Sequence, residues 1–573
     1  MARVADALVD ALVDAGVRQI FGVAGDSLNA ITDSIRSRRD IDWIHVRHEE
    51  AAGFAAGAVA QLTGGLAVCA GSCGPGNLHL INGLYDAHRS RARVIALAAQ
   101  IPSPEIGSNY FQETHPEQIF RECSHYQGVV SKVEDLAPVV ESALDAACNR
   151  MGVAVIVLPG DVALMRAQGP KPNRAAPKTQ SGTGPTADQI RRMAHTLNDA
   201  SRVTVLAGSG CAGSRDELFQ IAAKLHAPIV HTLRAKESLE YDNPYDVGMT
   251  GLIGFSSGYH AMMDSEVLLM LGTDFPYRQF YPEHAQKIQV DIDPEQIGRR
   301  TAIDIGVVAD VGTTLRALLP AVQEKSDGEH LTASLEHYAK TRESLDALAT
   351  GEPGKSPVHP QFVVKVLDRL AAGDAIFTCD VGLPTVWAAR YLRMNGRRRL
   401  LGSFWHGSMA NALPQAIGAA CSAPGRQVVS LCGDGGVAML FGELLTLRQL
   451  NLPVKVIVFN NGALGFVRLE QMSAGFLEAG VDLRNPDFSR VAEAVGIEGL
   501  RAEVPEEVEP KTAELLRHPG PALLDVTVSN QEVAMPPSLD PSVVKGFGLW
   551  LVKAVLSGRG DEIVDLAKVN LFR

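Results

Sequence analysis

The sequence predicts an α/β fold of three doubly wound parallel-sheet domains in tandem, followed by an amphipathic helical tail. Three observations point there. At 573 residues the chain exceeds what one hydrophobic core holds. Short, fully apolar runs recur between helical patterns, which is how strands of a parallel sheet covered on both faces read. Breaker-rich stretches at 168–186 and 350–360 separate the blocks, giving domains at 1–182, 183–335 and 336–530 and a tail at 531–573.

In order, the first block holds apolar runs at 66–70, 94–97 and 153–158. The second has runs at 203–207, 228–231, 267–271 and 288–292, then a charged helical stretch. The third has 375–379, a run ending at Gly433, 453–459 and 523–527. Strands alternating with helices make open sheets whose ligands sit at the carboxyl ends of the strands. After Gln531 the pattern breaks at Pro536-Pro537, and no further strand is predicted.

Composition removes several classes. Fifty-three basic residues against 65 acidic ones leave a net charge of −12, which opposes nonspecific attraction to nucleic acid or to an anionic membrane surface. Any membrane contact must then be local and apolar. The eight cysteines are scattered singles without zinc or redox spacing, and read as reduced, mostly buried thiols. The N-terminus carries acids at helical spacing where a signal peptide would have an unbroken apolar core. No run is long and apolar enough to span a bilayer, so the expectation is a cytoplasmic protein.

The densest chemical signal lies where a strand ends in Gly433-Asp434-Gly435-Gly436 and a later one ends in Asn460-Asn461. Asp434 and Asn461 are hard oxygen ligands presented by adjacent strand ends, a set that suits Mg²⁺ with phosphate and water completing its shell. A helix opening after the glycines would turn free N–H groups toward that phosphate. Gly407, Ser408 and Met409 form a small-residue loop opening a helix. It reads equally as a cofactor loop and as a core loop. Phe466 and Glu470 lie one helical turn apart, facing a cavity or, for Phe466, the core.

In the middle block Gly208-Ser-Gly-Cys-Ala-Gly213 matches the dinucleotide fingerprint, but the next strand ends in Arg234 and Lys236 instead of the acid a nicotinamide site wants. Asp291, at a later strand end, can take the adenosine ribose of a flavin. The turns at Thr250-Gly251-Leu252-Ile253 and Gly272-Thr273-Asp274-Phe275 allow close approach to its pyrophosphate. Glu49 and Glu50 open a helix rich in small residues. As first-turn acids both can satisfy the helix dipole.

Beyond these readings, Arg47-His-Glu-Glu50, Gly71-Ser-Cys-Gly-Pro-Gly-Asn-Leu-His79, Tyr110-Phe-Gln-Glu-Thr-His115, Gly248-Met-Thr-Gly-Leu-Ile-Gly254, Thr378-Cys-Asp-Val-Gly382 and Gly433-Asp434-Gly435 resemble thiamine diphosphate enzymes of the bacterial quinone-dependent pyruvate dehydrogenase (pyruvate oxidase) family. The resemblance covers nearly the whole chain, including Ser557-Gly-Arg-Gly-Asp561. It implies pyrimidine-binding, FAD-binding and diphosphate-binding domains in that order, in a homotetramer whose thiamine sites are shared between subunits. It implies that Glu49 activates the cofactor at its pyrimidine, that Asp434, Asn461 and the Ala463 carbonyl hold Mg²⁺, and that Gly462, Leu464 and Gly465 complete the cofactor loop. Phe111, Gln112, Phe466 and Glu470 would line the reaction cavity, and FAD would lie on Thr250 to Ile253, on Thr273, Asp274, Phe275, Pro276 and Tyr277, and on Asp291.

The implied activity is oxidative decarboxylation of pyruvate to acetate and CO₂, with electrons passed through FAD to membrane ubiquinone. The tail resembles a lipid-docking segment. Ile563, Val564, Leu566, Ala567 and Leu571 fall on one helical side with Asp565 and Lys568 opposite, the pattern of a helix lying in a phospholipid interface at the cytoplasmic face. The other reading of that tail is a cap on its own domain. Rival functions are an FAD-containing carboligase resembling acetolactate synthase, and a noncatalytic scaffold. The presence of Glu49, Asp434 and Asn461 argues against the scaffold.

Overall fold

The structure, a computed structural model, describes residues 2–168, 184–354, 356–532 and 541–557, together with Ile563 and Leu566. Its first sheet comprises β1 (Gln19–Gly22), β2 (Asp42–His45), β3 (Ala67–Gly71), β4 (Val94–Gln100), β5 (Tyr126–Val129) and β6 (Val153–Pro159). The second comprises β7 (Val203–Ala207), β8 (Ile229–His231), β9 (Asp246–Met249), β10 (Val267–Leu271), β11 (Gln286–Asp291) and β12 (Ile305–Val308). The third comprises β13 (Ile376–Cys379), β14 (Arg399–Gly402), β15 (Val428–Gly433), β16 (Val454–Asn460), β17 (Glu498–Ala502) and β18 (Ala522–Thr527). Every pairing among them is parallel.

The first and third sheets share one topology, β2-β1-β3-β4-β6-β5 and β14-β13-β15-β16-β18-β17. The middle sheet runs β12-β11-β10-β7-β8-β9, two three-strand halves meeting between β10 and β7 as in dinucleotide-binding folds.

Continuous apolar strands arise because both faces of each sheet are covered. In the first sheet Ile20, Val68, Ile95 and Ile156 enter one core, and their neighbours Phe21, Cys69, Ala96 and Val155 enter another. That second core continues into the third domain through Ala412, Ala416, Val428 and Val456. Small residues make the junction tight. A Cβ on Gly418, in helix Ala412–Ser422, would lie 2.2 Å from the Ala55 carbonyl oxygen in helix Glu49–Thr63. The helix that opens with Glu49 is therefore wedged between two domains.

The predicted tail lies mostly outside the described residues, as do Val564, Asp565, Ala567, Lys568 and Leu571, and most of the expected linker. Helix Pro541–Leu556 is described and docks on the third domain, where Trp550 and Ala554 pack against Met472 and Lys553 Nζ donates to the Gly475 carbonyl at 2.7 Å. Ile563 and Leu566, expected on a lipid-facing side, pack against this same cluster. The exposed apolar residues of this region are instead Leu549, Leu551, Val552, Val555 and Leu556. No helix among the described residues is long and apolar enough to cross a membrane.

Candidate active site

Because β15 and β16 are adjacent and in register, with Gly433 opposite Phe459, their carboxyl ends bring Asp434 and Asn461 together. Asp434 is 3% exposed. Its Oδ1 accepts from Gly435 N at 2.8 Å, and its Oδ2 accepts from Gly462 N at 2.7 Å and Asn485 Nδ2 at 2.8 Å. Burial raises its pKa, and these donors pull it back toward ionisation. Asn461 Oδ1 accepts from Ala463 N at 3.1 Å. The glycines are required by crowding, since a Cβ on Gly436 would meet Asp380 Oδ2 at 2.1 Å and one on Gly435 would meet Leu464 at 2.8 Å. A cavity of about 210 Å³ opens here, walled by Gly407, Met409, the four residues from Gly433 to Gly436, Asn461, Ala463, Leu464, Gly465 and Phe466. Carboxylate, amide and main-chain oxygens form a donor set that fits Mg²⁺, and the glycine backbone fits a diphosphate.

A larger cavity, about 440 Å³, sits at the carboxyl ends of β7 to β10. Gly208, Thr250, Gly251, Leu252, Ile253, Gly272, Thr273, Asp274, Phe275, Pro276 and Tyr277 wall one side, with Phe466 and Glu470 on the other. Here the backbone approaches closely enough that a Cβ on Gly208 would lie 2.1 Å from the Gly272 carbonyl oxygen. Thr250 Oγ1 is buried with no hydrogen-bond partner among the described residues. A buried hydroxyl without a partner on a glycine-lined wall is what a bound dinucleotide would satisfy, so the residues fit FAD. Asp291 does not border this cavity. It is buried at the end of β11, accepting from Asp293 N at 2.9 Å. The two cavities abut, with Val381, Gly382, Gly407 and Phe466 bordering both.

Glu49 lies elsewhere in the chain. It opens its helix after His48, is 6% exposed, and its Oε2 meets His79 Nδ1 at 3.0 Å. Glu443 of the third domain accepts from Arg47 N and His48 N at 2.9 and 3.0 Å, fixing the approach to that helix. Phe111 is 78% exposed, and Gln112 has φ +63° with its Oε1 accepting from Cys73 Sγ at 3.4 Å. None of Glu49, Phe111 and Gln112 borders either cavity of the same chain.

The comparisons match this layout domain by domain. The thiamine pyrophosphate enzyme N-terminal TPP binding domain matches residues 2–119, the central domain 190–318 and the C-terminal TPP binding domain 380–526. A putative thiamine pyrophosphate-containing protein, YdaP of Bacillus subtilis, is 35% identical over 563 residues, 98% of each chain. The chain belongs to the thiamine pyrophosphate enzyme family. It is also 31% identical over 532 residues to a pyruvate oxidase of Lactiplantibacillus plantarum, covering 91% of this chain and 88% of that one. The acetolactate synthase large subunit of Parasynechococcus marenigrum is equally similar, 31% over 551 residues, covering 93% and 88%.

In this thiamine pyrophosphate enzyme several site residues carry no local motif. Asn485 links Asp434 to Asn460 Oδ1 at 2.9 Å, and Asn460 Nδ2 donates to Asp525 of β18 at 3.1 Å, so the Asp434 carboxylate is steered from two strands away. Asp380 accepts from Ala412 N at 3.0 Å and Gly433 N at 3.1 Å, tying the loop after Met409 to the start of the Gly433–Gly436 loop. Burial pushes its pKa up to about 7. Asn82 bridges the domains, donating to Ser408 Oγ at 2.9 Å and to Glu50 Oε1 at 2.7 Å. Glu50 is thus a structural acid. Asp380 is the exception, lying inside Thr378-Cys-Asp-Val-Gly382, where an acid before Val-Gly is the available signal.

Proposed function

We propose that this enzyme oxidatively decarboxylates pyruvate to acetate and CO₂ and passes the two electrons through FAD to membrane ubiquinone. The observation that carries the reading is the shared wall: Phe466 borders both the metal-loop cavity and the flavin-sized cavity. Electrons leaving substrate in one cavity reach an acceptor in the other without crossing solvent. When bound, thiamine diphosphate supplies the nucleophilic carbon and electron sink for decarboxylation, and FAD supplies the two-electron acceptor.

The chain's own residues do the rest. Asp434, Asn461 and the Ala463 carbonyl hold Mg²⁺, and the backbone of Gly435 and Gly436 faces the diphosphate. Met409 and Leu464 present apolar surface beside it. Phe466 and Glu470 close the reaction space against water. Glu49 holds or releases a proton at its carboxylate toward the pyrimidine. Since Glu49, Phe111 and Gln112 lie apart from Asp434 in one chain, a second copy completes each site, in a homotetramer. Water enters to give acetate, and the balance is pyruvate, water and quinone to acetate, CO₂ and quinol. The exposed apolar face from Leu549 to Leu556, with the chain that follows, provides the local contact with phospholipid at the cytoplasmic face of the membrane.

The second reading is carboligation, supported by the equal identity to acetolactate synthase. Product analysis decides. With pyruvate and a ubiquinone analogue, the oxidase reading gives acetate and quinol in equal amounts. Acetolactate with no quinol would replace it by the carboligase.

A further inference from the structure

A third cavity, about 310 Å³, lies beside the flavin-sized one where all three domains meet. The first domain contributes the end of helix Glu49–Thr63 and the loop before β4, the middle domain the turns after β7 and β8, and the third domain β14. Its charged lining is one-sided, with Arg91, Arg93, Arg234 and Arg399 facing a single carboxylate, Glu237. Glu237 is already engaged by Arg399 Nε at 2.9 Å.

The other three guanidinium groups keep most of their donors. Arg93 makes no ion pair among the described residues, its Nη1 donating to the Gly64 carbonyl at 2.6 Å. Arg234 likewise has no carboxylate within ion-pair range, and its Nη2 donates to the Ser90 carbonyl at 3.0 Å. Arg91 reaches Asp293 and Asp274 only at 3.6 and 3.9 Å. Each guanidinium carries five N–H donors, and burial disfavours the Arg234 charge. In a chain of net charge −12, two guanidinium groups without a carboxylate partner among the described residues and a third only loosely paired, converging on one cavity, call for an anion.

We propose that this junction cavity binds a small phosphorylated molecule, with its phosphate held by Arg91, Arg93 and Arg234. The planar guanidinium fork matches phosphate oxygens in a way no single lysine does. The cavity is of small-molecule size. It is separate from the metal loop, since neither Asp434 nor Asn461 borders it. Arg234 borders this cavity and the flavin-sized one, so occupancy here is felt at the flavin wall.

The test uses holoenzyme saturated with FAD, Mg²⁺ and thiamine diphosphate, titrated with inorganic phosphate while ³¹P line broadening is followed. The expected result is saturable binding, about tenfold weaker in Arg93→Gln and intermediate in Arg93→Lys, which keeps the charge and loses the bidentate fork. Ala212→Glu, an exposed position on the wall, should abolish it and gives an independent variant if Arg93→Gln fails to fold. Absence of saturable binding to the loaded wild type overturns the proposal. So does binding that both Arg93→Gln and Ala212→Glu leave unchanged, or binding seen only after FAD removal and expelled by FAD.

Discussion

Replacing Asp434 by alanine removes a buried carboxylate from the proposed Mg²⁺ site. In the structure its carboxylate accepts hydrogen bonds from Gly435 N, Gly462 N and Asn485 Nδ2, all within 2.7 to 2.8 Å, while only 3% exposed. Each buried donor left unpaired costs about 1–3 kcal/mol, a part of which water in the vacated space returns. For the cofactor, loss of a charged oxygen ligand by a cation with few protein ligands is worth at least ~3 kcal/mol, so affinity should fall about a hundredfold. Asp434→Asn should be no better than Asp434→Ala, because its amide NH₂ would face one of those three donors. Asn485→Ala removes one donor and should weaken binding about tenfold. The assay is a titration of thiamine diphosphate at saturating Mg²⁺, followed by quenching of Trp387, which borders the cavity. FAD content should be unchanged in all three variants. Wild-type affinity in Asp434→Ala, or its recovery in Asp434→Asn, would refute the reasoning.

Glu49→Gln should keep fold and FAD but slow pyruvate-driven flavin reduction by about 10²–10⁴, and a near wild-type rate would remove Glu49 from the proton chemistry. Asp380 is raised from 3.8 to about 7 by burial. The folded protein therefore keeps this proton between about pH 4 and 7 while the unfolded chain loses it. The contribution is fully present below pH 4 and is lost as pH rises to 7, on the order of 4 kcal/mol. Asp380→Asn should flatten that part of the Tm-against-pH curve, and an unchanged slope contradicts the assignment. Removing residues 558–573 should leave reduction of a soluble dye intact while weakening liposome flotation and lipid stimulation, and adding Val552→Glu and Val555→Glu on the exposed face should abolish them. Unchanged flotation in that combined variant contradicts the lipid contact.

Sequence pattern located what burial on both faces dictates. The runs at 203–207 and 267–271 coincide with β7 and β10, whose residues are all buried. It does not reach β5 and β17, edge strands bearing polar residues such as Gln127 and Glu498, or β12, whose residues alternate buried and exposed, nor β1, β2, β9 and β14, whose four residues each are too few to stand out as apolar runs. Asp434 and Asn461 were readable because adjacent parallel strands must end near one another. Asn485 was not, because its loop reaches the site only through tertiary packing. Arg234 was noted only as an obstacle to a nicotinamide site, while its place between two cavities depends on how three domains meet. The tail's apolar periodicity was visible, but not that Trp550 and Met472 would take up Ile563 and Leu566.

Electron transfer across the wall formed by Phe466 is read by mixing holoenzyme with pyruvate in the absence of oxygen and watching the flavin absorbance. The expected result is bleaching of one flavin per acetate formed, with reoxidation by added ubiquinone analogue. Pyruvate consumption with the flavin remaining oxidised, and acetolactate accumulating, would contradict it.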